Sequence, residues 1–251
     1  MERRTFAVGD IHGDTEQLFR LLSHLPTLTE HDTLVFLGDY VDRGPHSAQV
    51  VNYLRNLPNE TPAKVVTLRG NHEDAWLKVI DEGWDGFVNP PMNGCLAAMR
   101  SFIGGSVPEE LEIATPAELD VMRRGAFFPP DVVQWLRDLP FWYEDEHAIY
   151  VHAGLPPNDK GGFQHPSEVD MPIVLLWLRS LEFFRDYRGK RVVFGHTRTE
   201  FLPAELSEYT PEDPTDLWAG VNVVGIDTGC GNGGFLTALE MPSLRVYESR
   251  K

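Results

Sequence analysis

Six residues able to bind a metal each follow a short apolar run, and those runs are spread along most of the chain. Asp10 and His12 come after Phe6-Ala7-Val8, and Asp39 after Thr33-Leu34-Val35-Phe36-Leu37. Asn71 follows Val65-Val66-Thr67-Leu68, His152 follows Ala148-Ile149-Tyr150-Val151, and His196 follows Val192-Val193-Phe194. Asp10 and His12 lie two apart at a strand end, so both side chains can point to the same side. Together they offer a carboxylate oxygen and an imidazole nitrogen to a borderline divalent cation. Asp39 can reach the same ion and, through its second oxygen, bridge to another. Asn71, His152 and His196 would complete that second ion with one amide oxygen and two nitrogens. No thiolate takes part, which favours manganese, iron, zinc or cobalt, with manganese the expected activator in vitro. The histidines argue against magnesium or calcium alone. A single histidine at a strand end is more often a hydrogen-bonded structural residue than a ligand. Six ligand-type residues in equivalent places, most beside glycine, reverse that expectation. The glycines let the backbone turn sharply and approach a metal without a Cβ clash.

Two cations about 3.5–4 Å apart share a water, lower its pKa and clamp phosphoryl oxygens. The expected reaction is direct attack of that hydroxide on a phosphate ester, with no covalent enzyme intermediate. A serine alkoxide is a basic leaving group, so a proton donor is needed opposite the attack. His72 follows Asn71 and should face a different direction, across the substrate, with Asp42 to fix its tautomer and raise its pKa. Arg43, beside Asp42, suits the remaining phosphate oxygens because its planar fork grips phosphate bidentately. Arg179, in Leu176-Trp177-Leu178-Arg179, is a candidate second arginine, although spacing alone reads it as a surface helix residue.

The elements that must hold these groups follow from the pattern. Each apolar run has the length and β-branched or aromatic content of a buried strand. Asp14 to Leu25 places Leu18, Leu21, Leu22 and Leu25 on one helical face, with Asp14 or Thr15 as N-cap; Ser47 to Leu57 repeats the pattern with Val50, Val51 and Leu54. Strand–loop–helix alternation predicts an α/β sandwich with the chemistry in loops beyond the carboxyl ends of the strands. From about 84 to 143 the rhythm breaks into Pro-Pro, Gly-Gly and short helical patterns such as Asp131 to Leu139. This stretch is expected to be an excursion of helices and loops packed near the site. Residues 203–218, rich in acids and prolines, are expected to form a surface loop. The glycine-rich 229–234 segment, between strand-like Val221 to Ile226 and Phe235 to Leu239, is expected to be a tight hairpin-like turn. The 251 residues fit one domain, 1–251.

Composition limits the partners. The net charge of -16 disfavours general nucleic-acid or anionic-membrane binding. It leaves a phosphorylated substrate open, because bound cations invert the local sign. No apolar run approaches a membrane span, and no signal-like segment opens the chain. Cys95 and Cys230 read as reduced thiols. A cytoplasmic location is therefore expected, and the default expectation for oligomeric state is a monomer.

At this point the residues match a family. Gly9-Asp10-Ile11-His12-Gly13, Gly38-Asp39-Tyr40-Val41-Asp42-Arg43-Gly44 and Gly70-Asn71-His72-Glu73 appear in the order found in the phosphoprotein phosphatase (PPP) family, and His152-Ala153-Gly154 and Gly195-His196 add its late histidines. The chain resembles the bacterial and phage branch of these serine/threonine phosphatases, within the calcineurin-like metallophosphoesterases. The resemblance implies a β-sandwich flanked by helices. It implies Asp10, His12 and Asp39 on one metal and Asp39, Asn71, His152 and His196 on the other. It also implies His72–Asp42 as the acid pair, Arg43 on phosphate, and Arg179 as the second phosphate arginine. A sister family, the symmetrical dinucleoside tetraphosphate hydrolases, is similar in Ile226-Asp227-Thr228-Gly229-Cys230. Its members typically lack the acid at position 42 and carry Asp at position 73. With Asp42 and Glu73 this chain sides with the protein phosphatases, whose substrate is a phosphorylated protein or peptide. The alternatives are a dinucleoside polyphosphate or RNA 5′-end pyrophosphohydrolase, and a catalytically inactive scaffold that binds phosphoproteins.

Overall fold

The computed structural model describes residues 3–209 and 213–250. Its described residues form two five-stranded sheets packed face to face, with helices on the outer surfaces. The first sheet takes β1 (Thr5–Val8), β2 (Thr33–Phe36), β3 (Lys64–Thr67), β9 (Thr237–Met241) and β10 (Arg245–Glu248), in the order β10-β9-β1-β2-β3. The second takes β4 (Trp142–Glu144), β5 (Ile149–Val151), β6 (Val192–Phe194), β7 (Trp218–Ala219) and β8 (Val223–Gly225), in the order β4-β5-β6-β8-β7. In the first sheet β1, β2 and β3 pair in parallel and β9 and β10 add antiparallel, and in the second β5, β6 and β8 pair in parallel with β4 and β7 antiparallel at the edges.

Alternation along the strands explains the layering. Ala7, Val35 and Leu239 face Tyr150, Val193 and Val224 of the other sheet and form the inner core. Their neighbours Phe6, Val8, Leu34 and Phe36 point outward, as the two-residue period requires. There they meet α1 (Thr15–His24), α2 (Ser47–Asn56) and α3 (Asn71–Glu82). Asp14 caps α1 as expected, accepting from Gln17 N at 3.0 Å. On the second sheet, Ile149, Val151, Val192 and Phe194 are covered by Leu175 of α7 (Val174–Trp177) and by Phe183 and Phe184 of α8 (Leu181–Asp186).

The excursion holds α4 (Cys95–Ile103), α5 (Pro116–Arg123) and α6 (Pro130–Asp138), and it lies against the site-bearing layer. Its Phe87, Phe127 and Phe128 pack edge-on around Trp76 of α3, with ring centroids 5.7, 5.0 and 5.3 Å away. Losing that indole to alanine would cost about 3–5 kcal/mol. Cys95 and Cys230 are both buried and unbridged.

Two local expectations need correction. The glycine-rich 229–234 segment does turn sharply, with positive φ at Gly229, Gly231 and Gly233. However, β8 and β9 belong to different sheets, so the turn carries the chain across the sandwich and makes no hairpin. The 203–218 stretch ends in buried residues. Leu217 enters the inner core and Trp218 opens β7 against Phe184 and Phe194, because burying those side chains outweighs the polar character of the sequence before them. Positions 210–212 of that stretch lie outside the described residues.

Candidate metal centre

All five polar clusters meet at one edge of the sandwich. Asp10, His12, Asp39 and Asn71 follow strands of the first sheet, and His152 and His196 follow β5 and β6 of the second. Each is at most 7% exposed. The backbone reaches this arrangement through left-handed conformations at His12, Asp39, Asp42, Arg43 and His196, with φ between 47° and 73°. Such residues cost about 1–3 kcal/mol each and persist only where the surroundings hold them. Here Ile11 N and His12 N both donate to Asp39 O, and Gly44 N donates to His12 O. A Cβ at Gly70 would collide with Asp39 Oδ1, and one at Gly195 with Asp10 Oδ1, so only glycine lets these loops close around the carboxylates.

Asp39 is central. Its Oδ2 lies 3.4 Å from His12 Nε2, and its Oδ1 lies 3.5 Å from His152 Nε2. Asn71 Oδ1 is 2.9 Å from His152 Nε2 and 2.7 Å from His196 Nδ1. His12 and His152 each turn Nδ1 to a carbonyl, of Val41 and Leu37, at 3.0 and 2.8 Å. A carbonyl only accepts, so Nδ1 carries the proton in both rings and Nε2 turns a lone pair to the centre. Lone pairs of His152 and Asn71 facing each other at 2.9 Å repel unless a cation lies among them. Asp10, Asp39 and His152 form one group with metal-holding geometry, and His12, Asp39 and His72 form another. The two groups share Asp39, and His72 Nε2, 3.9 Å from Asp39 Oδ2, is close enough to be a ligand as well. The guanidinium of Arg43 already sits against His12 Nε2, a positive group where the donor set calls for one. The residues present fit a divalent metal centre.

Electrostatics sort the histidines. Burial lowers the pKa of His12, His152 and His196, keeping them neutral as ligands must be. Burial also opposes the charged form of His72, but the Asp39 charge and the hydrogen bond and charge of Asp42 outweigh it and raise its pKa. His72 Nδ1 is 2.6 Å from Asp42 Oδ2, and Trp76 Nε1 donates to Asp42 Oδ1 at 2.9 Å. Burial pushes Asp10 well up, as do the charges of Asp227 and Asp39.

A cleft of about 760 Å³ opens from this centre, lined by Arg43, Arg179, His196 and Asp227 among others. Arg179 sits just past α7 rather than within a helix, and its Nη2 donates to His196 O at 3.4 Å. Glu73 has a structural role that sequence reasoning missed. Its carboxylate accepts from Asp39 N, Tyr40 N and Gly70 N at 2.8–2.9 Å, tying the Asp39 loop to the start of α3. Burial and the neighbouring Asp39 push its pKa up to about 7. The available signal was its place three residues into a helix, where a glutamate returns to the preceding backbone. Asp227 was noticed only as part of a motif, and its burial beside Asp10 comes from the strand pairing that seats β8 next to β6.

The family model for calcineurin-like phosphoesterases matches residues 3–199. The chain belongs to this family. Calcineurin-like phosphoesterases use divalent metal ions, so the protein is a metal-binding hydrolase of the phosphoesterase type. The resemblance to PPP phosphatases within that superfamily holds: 68 residues, 26% of this chain and 21% of the relative, are 44% identical to the serine/threonine-protein phosphatase 6 catalytic subunit of Drosophila melanogaster. Over a longer span, the chain is 26% identical to a symmetrical bis(5'-nucleosyl)-tetraphosphatase of Coxiella burnetii, covering 95% of this chain and 89% of that protein. A solved structure provisionally assigned as a diadenosine tetraphosphatase superposes with a TM-score of 0.59 at 22% identity, over 98% of this chain and 92% of that one, a likeness of fold. Among the described residues no helix is long and apolar enough to cross a membrane.

Proposed function

We propose that the protein is a phosphomonoesterase acting on phosphoserine and phosphothreonine in proteins or peptides. The observation that carries this reading is geometric: His72 turns Nδ1 to the buried carboxylate of Asp42 at 2.6 Å, which Trp76 Nε1 also holds at 2.9 Å, whereas His12 and His152 turn Nδ1 to backbone carbonyls. Environments that drive like groups apart mark acid and ligand roles. Asp10, His12, Asp39, Asn71, His152 and His196 would hold two divalent ions, which when bound supply Lewis acidity toward the phosphoryl group and lower the pKa of water. Asp42 holds the His72 Nδ1 proton at 2.6 Å, leaving Nε2 to carry a second proton to the departing oxygen. Arg43 and Arg179 stand at the cleft, where their forks suit the free phosphoryl oxygens. A primed acid matters most for an alkoxide and least for a nucleotide, which leaves as a stable anion.

A second reading, symmetrical dinucleoside tetraphosphate hydrolysis, has its own support: the relatives that align along nearly the whole chain carry that name, and the long-range identity favours it over the short protein phosphatase match. Steady-state kinetics on a phosphothreonine peptide and on diadenosine tetraphosphate, with Mn²⁺ and with chelator, test the choice. A kcat/KM favouring the peptide and abolished by chelation supports the first reading. Preference for the dinucleotide overturns it in favour of the second.

A further inference from the structure

The cleft is larger than a phosphoryl group needs, and among the described residues it carries three guanidiniums, Arg43, Arg179 and Arg198. Two forks can serve the phosphoryl oxygens, which leaves Arg198 for something else. Its side chain is one-third exposed and pairs with Glu200, a contact that at this exposure is weak and easily exchanged. Its guanidinium carbon lies 5.3 Å from the ring centroid of Phe201. Phe201 is 71% exposed at the cleft wall, so the ring holds the guanidinium plane without covering it. A second groove, of about 480 Å³, shares Arg43, Met92 and Asn232 with this cleft and is lined by Glu109, Glu110 and Glu112. Beyond the shared arginine, the cleft adds Arg179 and Arg198 against Asp227, whereas the groove adds three glutamates, so the two differ in charge.

Resting on the protein phosphatase reading, we propose that Arg198, held on Phe201, is a specificity-determining residue that binds an acidic side chain flanking the phosphorylated residue of a peptide substrate. A planar fork matches a carboxylate bidentately. On a chain of net charge -16, an acidic peptide is otherwise repelled, so a placed cation decides whether it binds. Glu109 and Glu110 disfavour the same residue on the other arm, so the preference belongs to one side of the phosphoresidue only.

The test compares kcat/KM for phosphothreonine peptides carrying Asp, Ala or Lys on the N-terminal side or on the C-terminal side, for wild type, Arg198→Gln and Arg198→Glu. Each protein is read by the ratio of its own peptides, so a general loss of activity does not mimic the effect. In wild type, Asp on one side raises kcat/KM roughly 5- to 10-fold over Ala, the range of a single charge-assisted contact in a half-open cleft. Arg198→Gln flattens that ratio, and Arg198→Glu inverts it in favour of Lys. A wild type indifferent to both flanks, or a preference that survives Arg198→Gln, overturns the subsite alone. Failure to turn over any of the peptides, with diadenosine tetraphosphate cleaved, overturns the protein phosphatase reading and the subsite with it.

Discussion

Replacing Asp42 by Asn tests the acid pair at the point where its energy is concentrated. Asp42 Oδ2 accepts from His72 at 2.6 Å with both side chains at most 4% exposed, so the bond is short, charge-assisted and shielded from water. Such a bond contributes about 1.5–3 kcal/mol, which at about 1.4 kcal/mol per decade corresponds to a loss of roughly 10- to 150-fold. The loss should depend on the leaving group. A phosphothreonine peptide, which needs the proton, should lose all of it in kcat, whereas p-nitrophenyl phosphate, whose anion leaves unaided, should lose less than about fivefold. The pH profile carries the same signature. His72 works as an acid only while protonated, and Asp42 helps to raise its pKa. Without that charge the pKa falls, so the basic limb of the kcat profile moves to lower pH. With the amide oxygen in the place of Oδ2, the amide nitrogen would face the Trp76 N–H across the 2.9 Å contact now made by Oδ1, donor against donor, which should lower stability by about 1–3 kcal/mol in thermal unfolding. An equal loss on threonyl and nitrophenyl esters, with an unmoved basic limb, would refute the assignment of His72 as acid.

The same centre yields further expectations. His72→Asn should cut kcat about 10²- to 10⁴-fold on alkyl phosphates while metal content by elemental analysis stays at the wild-type level; metal lost in parallel would put His72 in the ligand set, where its nearness to Asp39 also allows it. Glu73→Gln should weaken Mn²⁺ binding about 10- to 100-fold by calorimetric titration, because the amide cannot accept from all three backbone donors and the Asp39 loop loosens. Unchanged affinity would show that the loop holds its shape without that carboxylate. Chelation should abolish turnover and lower the unfolding temperature, because metal at about 100-fold over its Kd contributes about 2.7 kcal/mol. An apo protein that melts no earlier would contradict the repulsion inferred among Asn71, His152 and the buried carboxylates.

The strands that bear the site were readable because each is rich in β-branched or aromatic residues, and all but the edge strand Lys64–Thr67 are buried on both faces, as Phe6 and Ala7 show by facing opposite cores. The strands that were not readable lie at or near sheet edges. Trp142–Glu144 and Arg245–Glu248 are mixed in polarity and Trp218–Ala219 is only two residues long, so their partners make them strands. The glycines at 229–234 announced a turn, but no local signal says whether the next strand returns to the same sheet, since that is decided by Leu239 fitting the inner core beside Ala7. Within the site, residue type and position after a strand picked out the buried groups that meet at the edge of the sandwich. Glu73, Trp76 and Asp227 escaped notice as supports because their work is hydrogen bonding or charge across long sequence distances, and Arg198 because its ring partner is visible only once the cleft exists.

The place of β9 beside β1 has a consequence for how the molecule is made. β1, which leads into Asp10 and His12, has β2 on one side and β9 on the other, with Thr5 opposite Met241. At about 5–20 residues per second, on the order of 10–50 s of synthesis separate the emergence of these two partners from the ribosome. Through that interval the first strand offers an open edge to any other nascent chain. His152 and His196 arrive later in the same interval, so a cation held by them could not be enclosed until much of the second sheet has been made. Completion of the first sheet and closure of a metal site shared by both sheets would therefore fall together, late in synthesis.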